Sequence, residues 1–200
     1  MLDSFCHKIV SNYKVYDLVQ KAAGGRRVRD RLASLMSDAE NQSVLDVGAG
    51  TGALSPLLPR TCRYIWLDND PEKLRGFRSR GGGLAVLGSA VELALASKSV
   101  DRTACIAVAH HLGDQELARA LSEIARVTRN RLIFVDAIYC PSRPASRFLW
   151  SIDRGSHPRP PEVLQRFLEE AYVVEQAELL TVLHRYFLCV AVPRVATPVG

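Results

Sequence analysis

Apolar positions along this chain follow two rhythms. Short runs in which nearly every residue, or every second one, is apolar predict strands at 43–48, 63–68, 84–88, 101–109, 131–138, 172–181 and 185–192. Between them, apolar residues recur three and four apart, which predicts helices over 53–59, 71–79, 114–128 and 161–171. Two further helices, 4–21 and 26–37, precede the first strand, and Gly24-Gly25 separates them. Asp70-Pro71 and Asp114 are helix-start signals, because an acid favours the first turn and proline tolerates its first position.

Alternating strands and helices build a parallel sheet covered on both faces. The last two strands are separated by a few residues around His184, too few for a crossover, so they form an antiparallel hairpin. The expected fold is therefore α/β, an open doubly wound sheet with an antiparallel finish. The 200 residues read as one domain: a helical cap over 1–40, a core over 41–138, a loop over 139–160, and a final helix and hairpin over 161–200. The loop, YCPSRPASRFLWSIDRGSHPRP, breaks the rhythm. It is rich in Pro, Arg and Ser and follows the carboxyl end of the fifth strand, the edge where open α/β sheets bind ligands. A segment of that length without clear structure reads as a lid or substrate loop.

Composition narrows the class. Hydrophobic residues make up 48% and charged residues 24%, a globular balance. No apolar stretch reaches the roughly 20 residues of a membrane span, and the first ten residues do not read as a secretory signal. Cys6, Cys62, Cys105, Cys140 and Cys189 are odd in number and scattered, so they read as free thiols of a cytoplasmic protein rather than as disulfides or metal ligands. No metal site is expected. The formal charge is +5, and only five of the 26 cations are lysine. Arg143, Arg147, Arg154, His157 and Arg159 make the 139–160 loop basic. They could hold a carboxylate or phosphate, or they could be solvated or paired with Asp153 and the acids of 161–171.

The candidate chemistry begins at VLDVGAGTGALSPLL, from Val44 to Leu58. A strand runs into Gly48, Gly50 and Gly52 and then toward a helix, so bare backbone N–H groups can approach a ligand. Gly48-x-Gly50-x-x-Ala53, with Asp68 about 20 residues on, satisfies the dinucleotide fingerprint. Asp46 argues against that ligand, since a carboxylate two positions before the first glycine would repel a pyrophosphate.

VLDVGAGTG instead resembles the first motif of the class I S-adenosylmethionine-dependent methyltransferases, in a small single-domain form of the methyltransferase-11 kind. WLDNDPEKL (66–74) resembles that family's second-strand end. LGSAVELALASKSVDRTACIAVAHHLGD (87–114) resembles the stretch that carries its adenine contact and fourth strand. The resemblance spans about 43–138. It implies a Rossmann-like strand order of 3-2-1-4-5-7-6. It also implies S-adenosyl-L-methionine as cofactor, with Asp46 near the methionine amino group and Gly48, Ala49, Gly50 and Gly52 along the methionine part. Asp68 would take the ribose hydroxyls, and Ser89 would lie beside the adenine. Ala90 and Val91, with Leu67 or Asn69, would bracket the ring, and Ala109 would complete the cofactor set. Ser89 departs from the family's usual Asp or Glu, which weakens the expected contact to the adenine amine. Asp101 has a structural role at the start of the fourth strand, and Asp70 that of a helix cap.

His111 and His110 close the fourth strand. An imidazole there can take a proton from a hydroxyl or amine, and adjacent residues point apart, so one of the two faces the pocket. Asp136, Tyr139, Arg143 and Trp150 are candidate substrate contacts. Tyr13 and Tyr16, on a first helix that also carries Phe5, would join Phe148 and Trp150 in roofing the pocket. This aromatic roof suits a small organic acceptor, aromatic or lipid-like. AHHLGD stands where amino-methylating nucleic-acid enzymes carry (D/N/S)PP(Y/F), so no nucleic acid is expected. A nicotinamide oxidoreductase would need Tyr-x-x-x-Lys, but Tyr139 is followed by Arg143. The expected function is methyl transfer to O, N or C of a small acceptor by a monomer or homodimer. A non-catalytic S-adenosylmethionine-binding regulator and an enzyme acting on RNA or protein are the alternatives.

Overall fold

A computed structural model of the protein describes residues 26–79, 83–152, 155, 157–182 and 185–194. Helix 4–21, with Phe5, Tyr13 and Tyr16, lies outside the described residues, as do Gly24-Gly25, Asp153, Arg154 and His184. The described chain opens with α1 (Arg26–Met36), followed by β1 (Ser43–Val47), β2 (Arg63–Asp68), α2 (Pro71–Ser79) and β3 (Leu84–Leu87). It continues through β4 (Val100–Ile106), α3 (Asp114–Val127), β5 (Thr128–Ile138), α4 (Pro144–Ile152), α5 (Pro161–Ala171), β6 (Tyr172–Thr181) and β7 (Arg185–Pro193).

The seven strands form one sheet in the order 3-2-1-4-5-7-6. β1, β2, β3, β4 and β5 run parallel; β7 is antiparallel to both β5 and β6. Every residue of β1 is buried, which is why it reads as an almost unbroken apolar run. Leu45 and Val47 pack with α3 and α5 through Leu117, Leu121, Ile124, Leu164 and Leu168. Val44 faces the other layer, with Val28, Leu32 and Met36 of α1 and Val135 of β5. Asp46, two residues on from Val44, is thereby carried into the same layer by the two-residue period. Asp101 fastens the β1–β4 seam by accepting from the Ser43 amide at 2.8 Å and its hydroxyl at 2.6 Å. Those two bonds and Arg129 hold its carboxyl down at about 2.

Three predicted elements differ. The helix expected over 53–59 is only a 3-10 turn, Ser55–Leu57. Pro59 disfavours the helical region for the residue before it, and Leu58 is extended at φ −87° and ψ 151°. The fourth strand stops at Ile106 rather than at 109, because Ala107 takes a positive φ of 56° and turns the chain into a 3-10 turn over Ala109–His111. The 139–160 segment, expected to lack regular structure, contains α4. Pro144 opens that helix, and Ala145, Phe148 and Leu149 give it an apolar stripe that the Arg/Ser/Pro composition obscures. The Cys140 amide donates to the Ser146 hydroxyl at 3.0 Å and ties the helix to the end of β5.

Candidate active site

All the candidate residues that the structure describes collect at the carboxyl ends of the parallel strands. After Val47 the backbone turns through Gly48 at φ +68°, where a Cβ would collide with Val108 on the loop after β4. At Gly52, φ is +74° and a Cβ would lie 2.9 Å from Phe77. Glycine is required at both positions by conformation and by close approach. The loop is braced from below. The Ala49 amide donates to the Leu67 carbonyl at 2.9 Å, and the Gly52 amide to the Ala49 carbonyl at 2.8 Å. Trp66, fully buried and stacked on Phe77 with centroids 5.7 Å apart, donates its indole N–H to the Gly50 carbonyl at 3.0 Å.

Two carboxylates flank this loop. Asp68 accepts from the Gly50 amide at 2.8 Å through Oδ2 and from the Asp70 amide at 3.0 Å through Oδ1, with Lys73 at 3.5 Å. Each oxygen of a carboxylate has about two acceptor directions, so Oδ1 retains capacity for a hydroxyl. Asp46 is 3% exposed and accepts from the Tyr64 hydroxyl at 2.6 Å. No cationic side chain among the described residues pairs with it. Burial, aided by the charge of Asp68 and opposed by the Tyr64 bond, pushes its carboxyl up to about 7. A buried acid without a cation in its own fold is suited to a ligand that brings one.

On the other side of the loop, His110 is 3% exposed and Asp136 is 1% exposed. Asp136 Oδ2 accepts from the His110 amide at 2.8 Å, and Oδ1 meets the ring nitrogen Nδ1 of the same histidine. His111 is exposed, its ring 4.2 Å from that of His110. Trp150 of α4 presents an edge-on contact to His110 at 5.6 Å and another to Tyr139 at 5.7 Å. Two clefts flank Tyr139. One, of about 480 Å³, lies among Ile138–Ser142, Pro158–Glu162 and Arg185. The other, of about 320 Å³, lies against Arg147, Trp150, Ser151 and Pro158.

Residues 45–135, which run from β1 through β5, match the protein family described as "Methyltransferase domain". That match spans β1 to β5, a little under half of the chain, and likens this part of it to methyltransferases. Solved structures share this fold at low identity. The partner of the Trm112 methyltransferase activator in a complex from Haloferax volcanii is 15% identical, with a TM-score of 0.73 over 94% of this chain and 99% of that one. A magnesium protoporphyrin IX methyltransferase from Synechocystis with bound SAH is 16% identical, with a TM-score of 0.71 over 88% of this chain and 87% of that one. A SAM-dependent methyltransferase from Aquifex aeolicus is 18% identical, with a TM-score of 0.63 over 88% and 96%. A search of curated proteins found no match.

The residues of this site suit S-adenosylmethionine: a glycine cradle with no room for side chains, a buried acid for an ammonium group, and a second acid with an open acceptor direction for a hydroxyl. The structure brings together Asp46, Gly48, Ala49, Gly50, Gly52 and Asp68. Ser89 is exposed and accepts from the Val91 amide at 3.3 Å in a tight turn, with Ala90 and Val91 half-buried beside it. That turn follows Gly88, whose amide donates to the Asp68 carbonyl at 3.1 Å. Leu67 is 1% exposed within the core, so Asn69, which is exposed, is the residue of that pair open to a ring.

Several candidates are placed differently from what the sequence suggested. Ala109 is fully buried and its carbonyl accepts from Arg159 at 2.8 Å, which leaves it no surface for a cofactor. Asp136 is 1% exposed, and its described contacts are with the His110 amide and ring and with the Ala137 amide. Arg143 donates to the Val182 carbonyl at 2.9 Å and braces the β6–β7 hairpin. Arg159 is 7% exposed and is also occupied. It binds Asp114 at 2.7 Å and the carbonyls of Ala109, Leu112 and His157. Tyr13 and Tyr16 lie outside the described residues. The sequence reading missed Tyr64. The signal was present, because Tyr64, Trp66 and Asp68 alternate on one face of β2 and Tyr64 registers opposite Val44.

Proposed function

We propose that this chain is an S-adenosylmethionine-dependent methyltransferase that transfers the methyl group to a nucleophilic O, N or C atom of a small organic acceptor. The observation that carries the reading is the pair of clefts around Tyr139, about 480 and 320 Å³, beside the buried His110–Asp136 pair. Those volumes are the size of small-ligand pockets. Their lining of Tyr139, Trp150 and prolines offers apolar area with a few polar groups.

Bound S-adenosylmethionine supplies an electrophilic methyl group, so the chain's task is to align the acceptor, exclude water and manage one proton. Asp46 holds a positive amino group and Asp68 a pair of hydroxyls. Asp136 fixes the His110 ring by its short contact to Nδ1, which places the ring proton on that atom. Nε2 is then the nitrogen that can accept a proton from an acceptor hydroxyl or amine. His111 is exposed at its side, with its ring 4.2 Å from that of His110. Unpaired thiols at Cys62, Cys105, Cys140 and Cys189 fit a cytoplasmic enzyme. Among the described residues no helix is long and apolar enough to cross a membrane.

The test is release of S-adenosylhomocysteine from S-adenosylmethionine with three acceptor sets: phenols, amines and carboxylic acids of low molecular weight; bulk RNA; and bulk protein. Turnover with the first set alone is expected. Turnover confined to RNA or protein would overturn the assignment.

A further inference from the structure

Arginines in this fold are heavily used. Arg102, 6% exposed, meets Gln42 at 2.6 Å and Asp38 at 2.5 Å. Arg126 meets Glu123 and the carbonyls of Leu93 and Leu95. Arg143 and Arg159 are occupied as described above. Arg185 differs. It opens β7 opposite Ile138, at the carboxyl edge of the sheet. Among the described residues its buried Nε has no hydrogen-bond partner and its guanidinium forms no ion pair. An arginine donor buried without an acceptor is costly, and guanidinium cannot shed its charge to escape that cost.

Arg185 also lines the cleft of about 480 Å³, together with Tyr139, Cys140, Pro158, Pro160 and Glu162. We propose that this cleft is an acceptor subsite for a small monocarboxylate, with Arg185 as the group that holds the carboxylate. This rests on the methyltransferase reading given above and extends it to the charge of the substrate.

Guanidinium presents parallel N–H groups that match a carboxylate bidentately, and such bonds strengthen where water is excluded. Arg159 also lines the cleft but is saturated by Asp114 and three carbonyls, so it contributes shape rather than a free cation. Glu162, exposed in the first turn of α5, sets a limit. Its charge at the rim repels an anion, so a single carboxylate is favoured over a dianion or a phosphate. The apolar remainder of the ligand would lie along Tyr139 and the prolines. β7 is two strands from β4, about 10 Å at ordinary strand spacing. A ligand anchored on Arg185 must therefore be roughly that long to bring a nucleophile toward His110, which fits an aryl-alkanoic acid better than acetate.

The experiment measures binding by calorimetry with three probes, 3-phenylpropionate, 4-hydroxycinnamate and benzoate, and with the neutral 3-phenylpropanamide. Each is titrated with and without saturating S-adenosylhomocysteine. At least one acid is expected to bind the parent in the millimolar range or tighter, and the amide about tenfold more weakly. Arg185→Gln should weaken the acid about tenfold and leave the amide unchanged. Glu162→Gln should tighten the acid severalfold. Circular dichroism and an unchanged affinity for S-adenosylhomocysteine verify that the variants are folded. Equal binding of acid to the parent and to Arg185→Gln overturns the proposal, and so does failure of all three acids to bind the parent. If S-adenosylhomocysteine still binds in that case, only the subsite is lost. If acids bind through Arg185 while low-molecular-weight acceptors give no turnover, it is the small-acceptor reading that fails.

Discussion

Replacing Asp46 by asparagine separates what this carboxylate does for the cofactor from what it costs the fold. The side chain is buried in β1, receives one hydrogen bond from Tyr64, and is lifted from the ordinary 3.8 to about 7, chiefly by burial. A folded-state value above the unfolded one means that the folded protein keeps a proton the unfolded chain has already released. Stability therefore falls as pH rises from about 4 to about 7, and above that the full penalty persists. At 1.36 kcal/mol per pH unit, a rise of this size corresponds to roughly 4 kcal/mol at pH 8, of which roughly 1.5 is already present at pH 5. Asparagine has nearly the same shape, can accept from Tyr64 through its carbonyl, and carries no charge. Its own buried amide has a desolvation cost, but that cost does not depend on pH.

The expected result is therefore a difference between two pH values. In urea unfolding without cofactor, the advantage of Asp46→Asn over the parent should grow by about 2–3 kcal/mol between pH 5 and pH 8. For S-adenosylmethionine the ranking reverses: the variant should bind at least about tenfold more weakly at pH 8, having lost the charge opposite the ammonium group. Parent affinity should fall about tenfold per pH unit below 7, where Asp46 must first lose its proton, while the variant's affinity stays flat. A stability difference that is the same at pH 5 and pH 8 would show that burial does not hold Asp46 neutral, and the argument for a carboxylate waiting for a cation would fail with it.

Four further substitutions probe the rest of the site. Asp68→Ala should weaken S-adenosylmethionine binding by about 1–3 kcal/mol in a calorimetric titration, since it removes charge-assisted acceptors for the ribose; parent-like binding would remove Asp68 from the cofactor site. At saturating cofactor, His110→Gln and Asp136→Asn should each lower kcat about 100-fold with cofactor affinity unchanged, whereas His111→Gln should leave kcat within about twofold. The opposite ranking would give the proton to His111 and leave the buried pair as packing.

The sheet was legible because its signal is local. Each parallel strand is an apolar run with its own punctuation, and the residues that deform the loop, Gly48 and Gly52, are glycines for reasons of backbone geometry that need no partner in sequence. The cofactor side followed, since Asp46, the glycines and Asp68 lie within one β-turn-β unit. Where the sequence misled, the cause was composition standing in for pattern. The Arg, Ser and Pro of 139–160 suggested a structureless loop, although Ala145, Phe148 and Leu149 already marked one face of α4.

The arginines show why the acceptor side was harder to read. The sequence could only count them, and Arg143, Arg147, Arg154 and Arg159 clustered beside the expected pocket while Arg185 stood alone at a strand start. What decides an arginine's role is whether its donors are already satisfied. Arg159 finds its acceptors 45 to 50 residues away, on Asp114, Leu112 and Ala109. Arg143 finds one 39 residues away, on Val182. No spacing rule reports bonds at that separation. The clustered positive charge near the pocket thus includes two struts whose charge is spent inside the fold, and the cation with a buried Nε unmet among the described residues is the isolated one. Charge available for a substrate is set by the acceptors the fold withholds, which only the assembled sheet edge reveals.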